Sequence, residues 1–172
     1  MKFNRQIRYY YLRFIRLRGE PRDLALGMAM GVFCGMLPII PFQTALAVTL
    51  AIFFKGSKIT AAIGTWVSNP LNWYFLYYYS YKLGTTLLGL PEQRKVFSAV
   101  IESIRAGERF VDVAGHALGA GATFITAFIL GGVLLGIVFA PLAYFVFLPL
   151  FRSLKNWRDK RRERRQWRRQ TP

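Results

Sequence analysis

Three long stretches without a charged residue, each interrupted by proline, glycine or asparagine, set the limits on what this chain can become. They run from Leu24 to Phe54, from Ile59 to Tyr81 and from Val113 to Phe151, and span 31, 23 and 39 residues. Uncharged runs of 18 or more mainly apolar residues read as membrane segments, because roughly 20 helical residues cross a hydrocarbon core of about 30 Å. A soluble helical bundle would need a polar face on each run, and none is present. The expected fold class is an all-α membrane protein: broken or re-entrant helical hairpins with membrane-spanning helices and amphipathic interfacial helices.

The charges that are missing from these runs crowd the two ends. Lys2, Arg5, Arg8, Arg13, Arg16, Arg18 and Arg22 precede the first run, ten Lys or Arg lie between Arg152 and Arg169, and the net charge is +16. Basic residues flanking membrane segments mark the cytoplasmic side, so both termini are expected there, with an even number of full crossings between them. The first 22 residues lack the separate apolar stretch of a secretory signal. Five divisions follow: a basic amphipathic helix over 1–22, a broken-helix membrane module over 23–90, an amphipathic linker helix over 91–112, membrane segments over 113–151 and a basic tail over 152–172.

In the first division, Phe3, Ile7, Tyr10, Tyr11, Phe14 and Ile15 recur at helical spacing among arginines. That pairing suits a helix lying in the membrane interface, and equally a helix packed on the protein's own cytoplasmic face. The basic tail, with Trp157 and Trp167, could also grip nucleic-acid phosphates. Its place beside a membrane segment favours anionic lipid headgroups instead, worth about 1 kcal/mol per basic residue. Membrane lipids are therefore the expected partner, and nucleic acid is not.

As one straight helix the first run would be about 47 Å long, and Pro38 and Pro41 sit near its middle. Each half, about 20 Å long, suits a hairpin that enters and leaves on one side and returns Lys55 and Lys58 to the cytoplasm. Backbone freed by proline cannot face lipid, so the bend must be buried or line a wet cavity, where Gln43 and Thr44 can satisfy it or meet a substrate. Ahead of it, Gly27, Gly31 and Gly35 repeat every four residues and flatten one helix face for close packing. Similar pairs at Gly115 with Gly119 and Gly132 with Gly136 make the third run a candidate partner.

The second run breaks at Asn69-Pro70, because the residue before proline is pushed out of helical geometry. Ser68, Asn69 and Asn72 gather there between Trp66 and Trp73, and the run is either a second hairpin or a kinked span. Tyr74, Tyr77, Tyr78, Tyr79 and Tyr81 then lead to Lys82 as an interfacial belt. Further on, Val96, Phe97, Val100, Ile101 and Ile104 form the apolar face of a surface helix. The third run contains Gly131-Gly132 and Pro141 and reads as one tilted span or two short passes.

The helix Leu24 to Gly35, the segment Pro38-Ile39-Ile40-Pro41-Phe42-Gln43, and Trp66-Val67-Ser68-Asn69-Pro70 followed by Tyr81 and Gly84 together resemble the DUF2062 family. The resemblance covers roughly residues 15 to 90. It implies a bacterial membrane protein, in a family whose members are sometimes joined to glycosyltransferase domains, and it supplies no activity. Many members carry further prolines after the Asn-Pro pair, where this chain reads Leu71-Asn72-Trp73-Tyr74.

No catalytic constellation is visible. There is one histidine, one cysteine and no acidic pair inside an apolar run, so no enzyme, metal or cofactor is expected. Asp112 and His116 stand one turn apart, where they can relay protons or simply make an interfacial contact. Two functions remain. In one, the bends form a midplane polar site from Gln43, Thr44, Trp66, Ser68, Asn69, Asn72 and Trp73 that handles a small solute or a lipid-linked headgroup. In the other, the chain is a scaffold in the bacterial inner membrane that positions an envelope glycan or lipid enzyme. A chain of 172 residues is small for a transporter, and homo-oligomerisation is the expected remedy.

Overall fold

A computed structural model describes residues 19–39, 42–69, 72–91, 97–99, 102–103, 106 and 121–170. Pro41, Pro70, Asp112, His116, Gly115, Gly119, the segment 1–18 and most of the 91–112 linker lie outside the described residues. The described elements are all helical: α1 (Pro21–Gly35), α2 (Gln43–Phe53), α3 (Lys58–Gly64) with a short 3-10 turn after it (Thr65–Val67), α4 (Trp73–Leu88) and α5 (Ala122–Gln170).

Local chemistry sets the ends of these helices. Pro21 occupies the first turn of α1, where its missing N–H costs nothing, and Asp23 faces the positive end of the helix dipole. α4 stops at Gly89, whose φ of 63° is left-handed. The Gly89 amide then donates to Thr86 (3.3 Å) and the Leu90 amide to Thr85 (2.9 Å), which satisfies the last free carbonyls of the helix. α5 runs unbroken through Pro141 and Pro149, so the described part of the third apolar run, 122–151, is one helix rather than two passes, and it continues into the basic tail. At 49 residues it is about 74 Å long.

α5 is the spine of the molecule. α1 packs antiparallel along its middle: Leu24, Ala25 and Met28 meet Phe151, Phe147 and Tyr144, while Phe33 lies over Gly136 and Met36 over Gly132. α4 packs antiparallel along the N-terminal half, with Tyr81 on Phe124 and Ser80 donating from its hydroxyl to the Phe128 carbonyl (3.1 Å). α2 folds back on α1, and the Ser57 amide donates to the Asp23 carbonyl (2.8 Å), bringing the end of the first run back to its beginning. α3 then lies parallel to α1. Because α1 and α4 both oppose α5, α3 and α4 run in the same sense, and the second run is a kinked rod rather than a hairpin.

The glycine stripe of α1 does not face the third run. A side chain on Gly27 would strike the Ser57 carbonyl, one on Gly31 the Ala61 carbonyl and the Gly64 Cα, and one on Gly35 the Val67 side chain. The stripe therefore seats α3 and the 3-10 turn. The third run instead contributes Gly131 against the Ser80 carbonyl, and Gly132 and Gly136 against the end of α1. The tyrosines also divide: Tyr77 and Tyr81 are core residues, while Tyr74 and Tyr79 are exposed. Phe97 of the linker is buried against Tyr74, Tyr78, Tyr81 and Phe128 rather than lying free on the surface.

Candidate functional site

Both helix breaks lie at the same end of the α1–α3 unit. The first follows Gly35, and the second follows the 3-10 turn that packs on Gly35. A hydroxyl pair ties them: Thr44 Oγ1 lies 3.2 Å from Thr65 Oγ1. Thr65 gives its one proton to the Ala62 carbonyl (2.8 Å), so Thr44 is the donor. Gly132 of α5 closes the junction, with the Met36 carbonyl, Pro38 Cδ and Ser80 Oγ all beside its Cα.

The second break is held by its own side chains. Asn72 Oδ1 accepts from the Asn69 amide (2.9 Å), and Asn69 Oδ1 accepts from the Asn72 amide (3.3 Å). The Asn72 Nδ2 group donates to the Val67 carbonyl (2.6 Å). This reciprocal arrangement works as a capping box does, each side chain meeting the other's backbone N–H at the start of α4. Ser68, which is buried, pairs its hydroxyl with that of Tyr77 (3.0 Å) and so fastens the break to α4.

Within the first break, the described hydrogen bonds are backbone ones. Leu37 donates to Cys34 (3.1 Å), Ile39 to Leu37 (2.9 Å) and Gln43 to Ile39 (3.1 Å). The Gln43 side-chain oxygen is not among these contacts: Oε1 is buried and has no hydrogen-bond partner among the described residues. Trp73 Nε1, at the first turn of α4, is likewise buried and without a partner among the described residues. An unmet buried acceptor or donor costs about 1–3 kcal/mol. One of each persists here, each on the first residue of a helix that follows a break.

Of the other residues singled out from the sequence, Thr44 is exposed although its hydroxyl is engaged, and Trp66 stands 75% exposed on the outside of the 3-10 turn. Gln43 and Asn69 are not joined through Gln43 Oε1. Sequence reasoning missed Thr65, Tyr77 and Ser80. Their signal was hydroxyls inside uncharged runs close to the breaks, where a buried O–H must find a partner.

Of the described helices, one is long and apolar enough to cross a membrane, the Ala122–Arg161 part of α5, and only 11% of its most apolar stretch is buried within the protein. These features define the class: an all-helical protein with one candidate membrane helix and two helix breaks brought together against it. The chain belongs to the DUF2062 family, described as an uncharacterized protein conserved in bacteria, which matches residues 4–162 and so extends well past the stretch that carries the motifs. Searches of curated proteins and of solved structures give no match.

Proposed function

We propose that this is an integral protein of the bacterial inner membrane, with both basic ends cytoplasmic, in which the paired breaks form a non-catalytic polar site for a small solute or a lipid-linked headgroup. The observation that carries it is the pair of buried unmet groups, Gln43 Oε1 and Trp73 Nε1. A buried polar atom without a partner carries a cost that a hydroxyl of a bound ligand would remove.

The placement of charge supports the membrane part. The Ser57–Asp23 hydrogen bond and the Lys155–Glu20 ion pair (2.8 Å) gather Arg22, Lys55, Lys58, Arg152 and Lys155 at one end of the molecule. Large apolar side chains cover the surface beyond that end, including Phe75 (64% exposed) and Phe145 (69%). Water would penalise such a surface and hydrocarbon would not. On this reading α1–α2 is a re-entrant hairpin, α3 with α4 is one broken crossing and α5 is the other. The second break lies midway between Lys58 and Lys82, near the bilayer midplane, and the basic ends face anionic headgroups.

A scaffold role rests on a different observation. Residues 152–170 extend α5 as a further ~28 Å of basic helix, a rigid handle for a partner enzyme. Lipid and metabolite profiling of a deletion strain separates the two. Wild-type chain should restore the profile, and a Gln43→Leu/Trp73→Phe double variant expressed at the same level should not. Full restoration by the double variant would remove the polar site and leave the scaffold.

A further inference from the structure

α5 runs on beyond the start of α1. The two helices keep company as far as Leu154, which packs on the cluster of Leu24, Ala25, Met28 and Phe151, and Lys155, which pairs with Glu20 (2.8 Å). α5 then continues to Gln170, so that 156–170 form an arm about 22 Å long. Asn156, Trp157, Asp159, Lys160, Arg161 and Glu163 of this arm are all exposed. On the membrane orientation proposed above, Arg152 and Lys155 stand at the headgroups. The outer half of the arm then lies more than a Debye length, about 8 Å, beyond them.

The sequence alone favours lipid for these charges, because they follow a membrane segment. As a helix, however, the arm lacks what lipid and protein grooves both ask for. It holds eight Lys or Arg and two acidic residues, and its apolar residues are Trp157 and Trp167. Two aromatic residues ten apart make no continuous apolar stripe to lie in an interface or to anchor in a groove.

The charges are ordered in another way. Asn156, Asp159, Glu163, Gln166 and Gln170 succeed one another by three or four residues and so share one line along the helix. The Lys and Arg positions spread over the rest, through roughly 200° of the circumference. Seven of the eight are Arg, whose fork matches phosphate oxygens two at a time. A flat partner meets one face of a rod. A nucleic-acid groove sets phosphates on both sides of it, and the DNA major groove, about 12 Å wide, admits a helix.

We infer that residues 156–170 are a docking arm for double-stranded DNA, seated in the major groove through phosphate contacts, with the line of Asn156, Asp159 and Glu163 facing out. Phosphate contacts carry no sequence information, so the arm does not discriminate between sequences. This role is separate from the polar site and rests only on the cytoplasmic placement of the C-terminal end.

The test uses the full chain in nanodiscs of neutral phosphatidylcholine and three probes: a fluorescent DNA duplex of about two helical turns, a polyglutamate of equal charge, and phosphatidylglycerol vesicles. DNA should bind at least tenfold tighter than either other probe and equally well for unrelated sequences. Its log affinity should fall against log salt with a slope of about −4 to −7, as for five to eight phosphate contacts. Lys160→Gln/Arg161→Gln/Arg164→Gln/Arg165→Gln should weaken DNA binding at least tenfold and flatten the slope by about 3 at unchanged Tm. Polyglutamate bound as tightly as DNA would overturn the duplex in favour of an acidic protein, and vesicles bound as tightly would overturn it in favour of an anionic surface. No DNA binding by folded wild-type chain, or equal binding by the four-site variant, would overturn the arm itself. Nanodiscs expose both faces, so orientation is judged apart from binding. Labelling of Gln170→Cys in intact cells by a membrane-impermeant maleimide would overturn the cytoplasmic placement and leave the arm no DNA to meet.

Discussion

The two breaks solve one physical problem in opposite ways. Each interrupts an apolar run beside proline and must satisfy freed backbone groups away from water. At the second break the side chains do it: Asn69 and Asn72 cap each other, and Asn72 also holds the Val67 carbonyl. At the first break successive backbone turns suffice, and the Gln43 side chain is left with an unmet oxygen. Polar residues at a helix break are thus not equivalent. Those that complete the backbone belong to the fold, and the one left over is the group to which the proposed function assigns a ligand.

The comparison depends on the glycine stripe, which holds the breaks together. Replacing Gly31 with Leu would drive a side chain into the Ala61 carbonyl and Gly64, both of them backbone that cannot rotate away. A loss of about 3 kcal/mol or more is expected, as for overfilled cores, with little folded protein recovered. A wild-type melting temperature in detergent would mean that α3 can leave α1 without unfolding the rest, and the breaks would no longer form a unit.

A smaller effect is expected at the second break. Asn72→Ala removes two side-chain hydrogen bonds, the one accepted from the Asn69 amide and the one donated to the Val67 carbonyl, and keeps the bond from its own backbone amide to Asn69 Oδ1. It should lower stability by about 2–3 kcal/mol, measured as a fall in Tm in detergent. A change under about 0.5 kcal/mol would show that water replaces these bonds and that the second break is as open as the first. Between the breaks, Thr44→Val removes one hydroxyl contact while Thr65 keeps its bond to Ala62, so about 1 kcal/mol is expected by the same measurement.

Much of this architecture was legible in the sequence because its signals are local. Pro38 and the Asn69-Pro70 pair announce the interruptions, the spacing of Gly27, Gly31 and Gly35 announces close helix packing, and Lys55 and Lys58 announce the end of a hairpin. Which helix fills a glycine face is a tertiary matter: the first and third runs pack on each other as expected, at Gly132 and Gly136, while the face of Gly27, Gly31 and Gly35 holds α3, which the sequence did not single out. The sense of α4 after the break was open for the same reason: a proline shows that a helix stops, while the direction of the next is set by Ser80 on Phe128 and Gly131 on Ser80. The seven polar or aromatic residues named for the site take different places: Asn69 and Asn72 cap each other, Thr44 and Ser68 pair with hydroxyls, Trp66 is exposed, and Gln43 and Trp73 keep buried polar atoms without a partner among the described residues. Their division into capping residues and unmet ones could not be read, since it turns on angstrom-scale geometry across the breaks.

The smallest expected effect on stability is also the one that sharpens the comparison most. Gln43→Met keeps the length of the side chain and removes the buried oxygen that lacks a partner. Because Gln43 holds the first break through its backbone amide, which the substitution leaves intact, no structural bond of the side-chain Oε1 is lost. Replacing an unmet polar group by an apolar one of similar shape is neutral or stabilising, so Tm should stay level or rise by up to about 1 kcal/mol equivalent. Asn72→Ala should move in the other direction. Two polar residues beside two breaks would then respond with opposite signs, as expected if one serves the fold and the other serves a ligand. A loss at Gln43→Met as large as that at Asn72→Ala would show that the Gln43 amide has a structural partner in the folded protein. The distinction between the breaks would then fail, and with it the main physical reason for placing a site at the first.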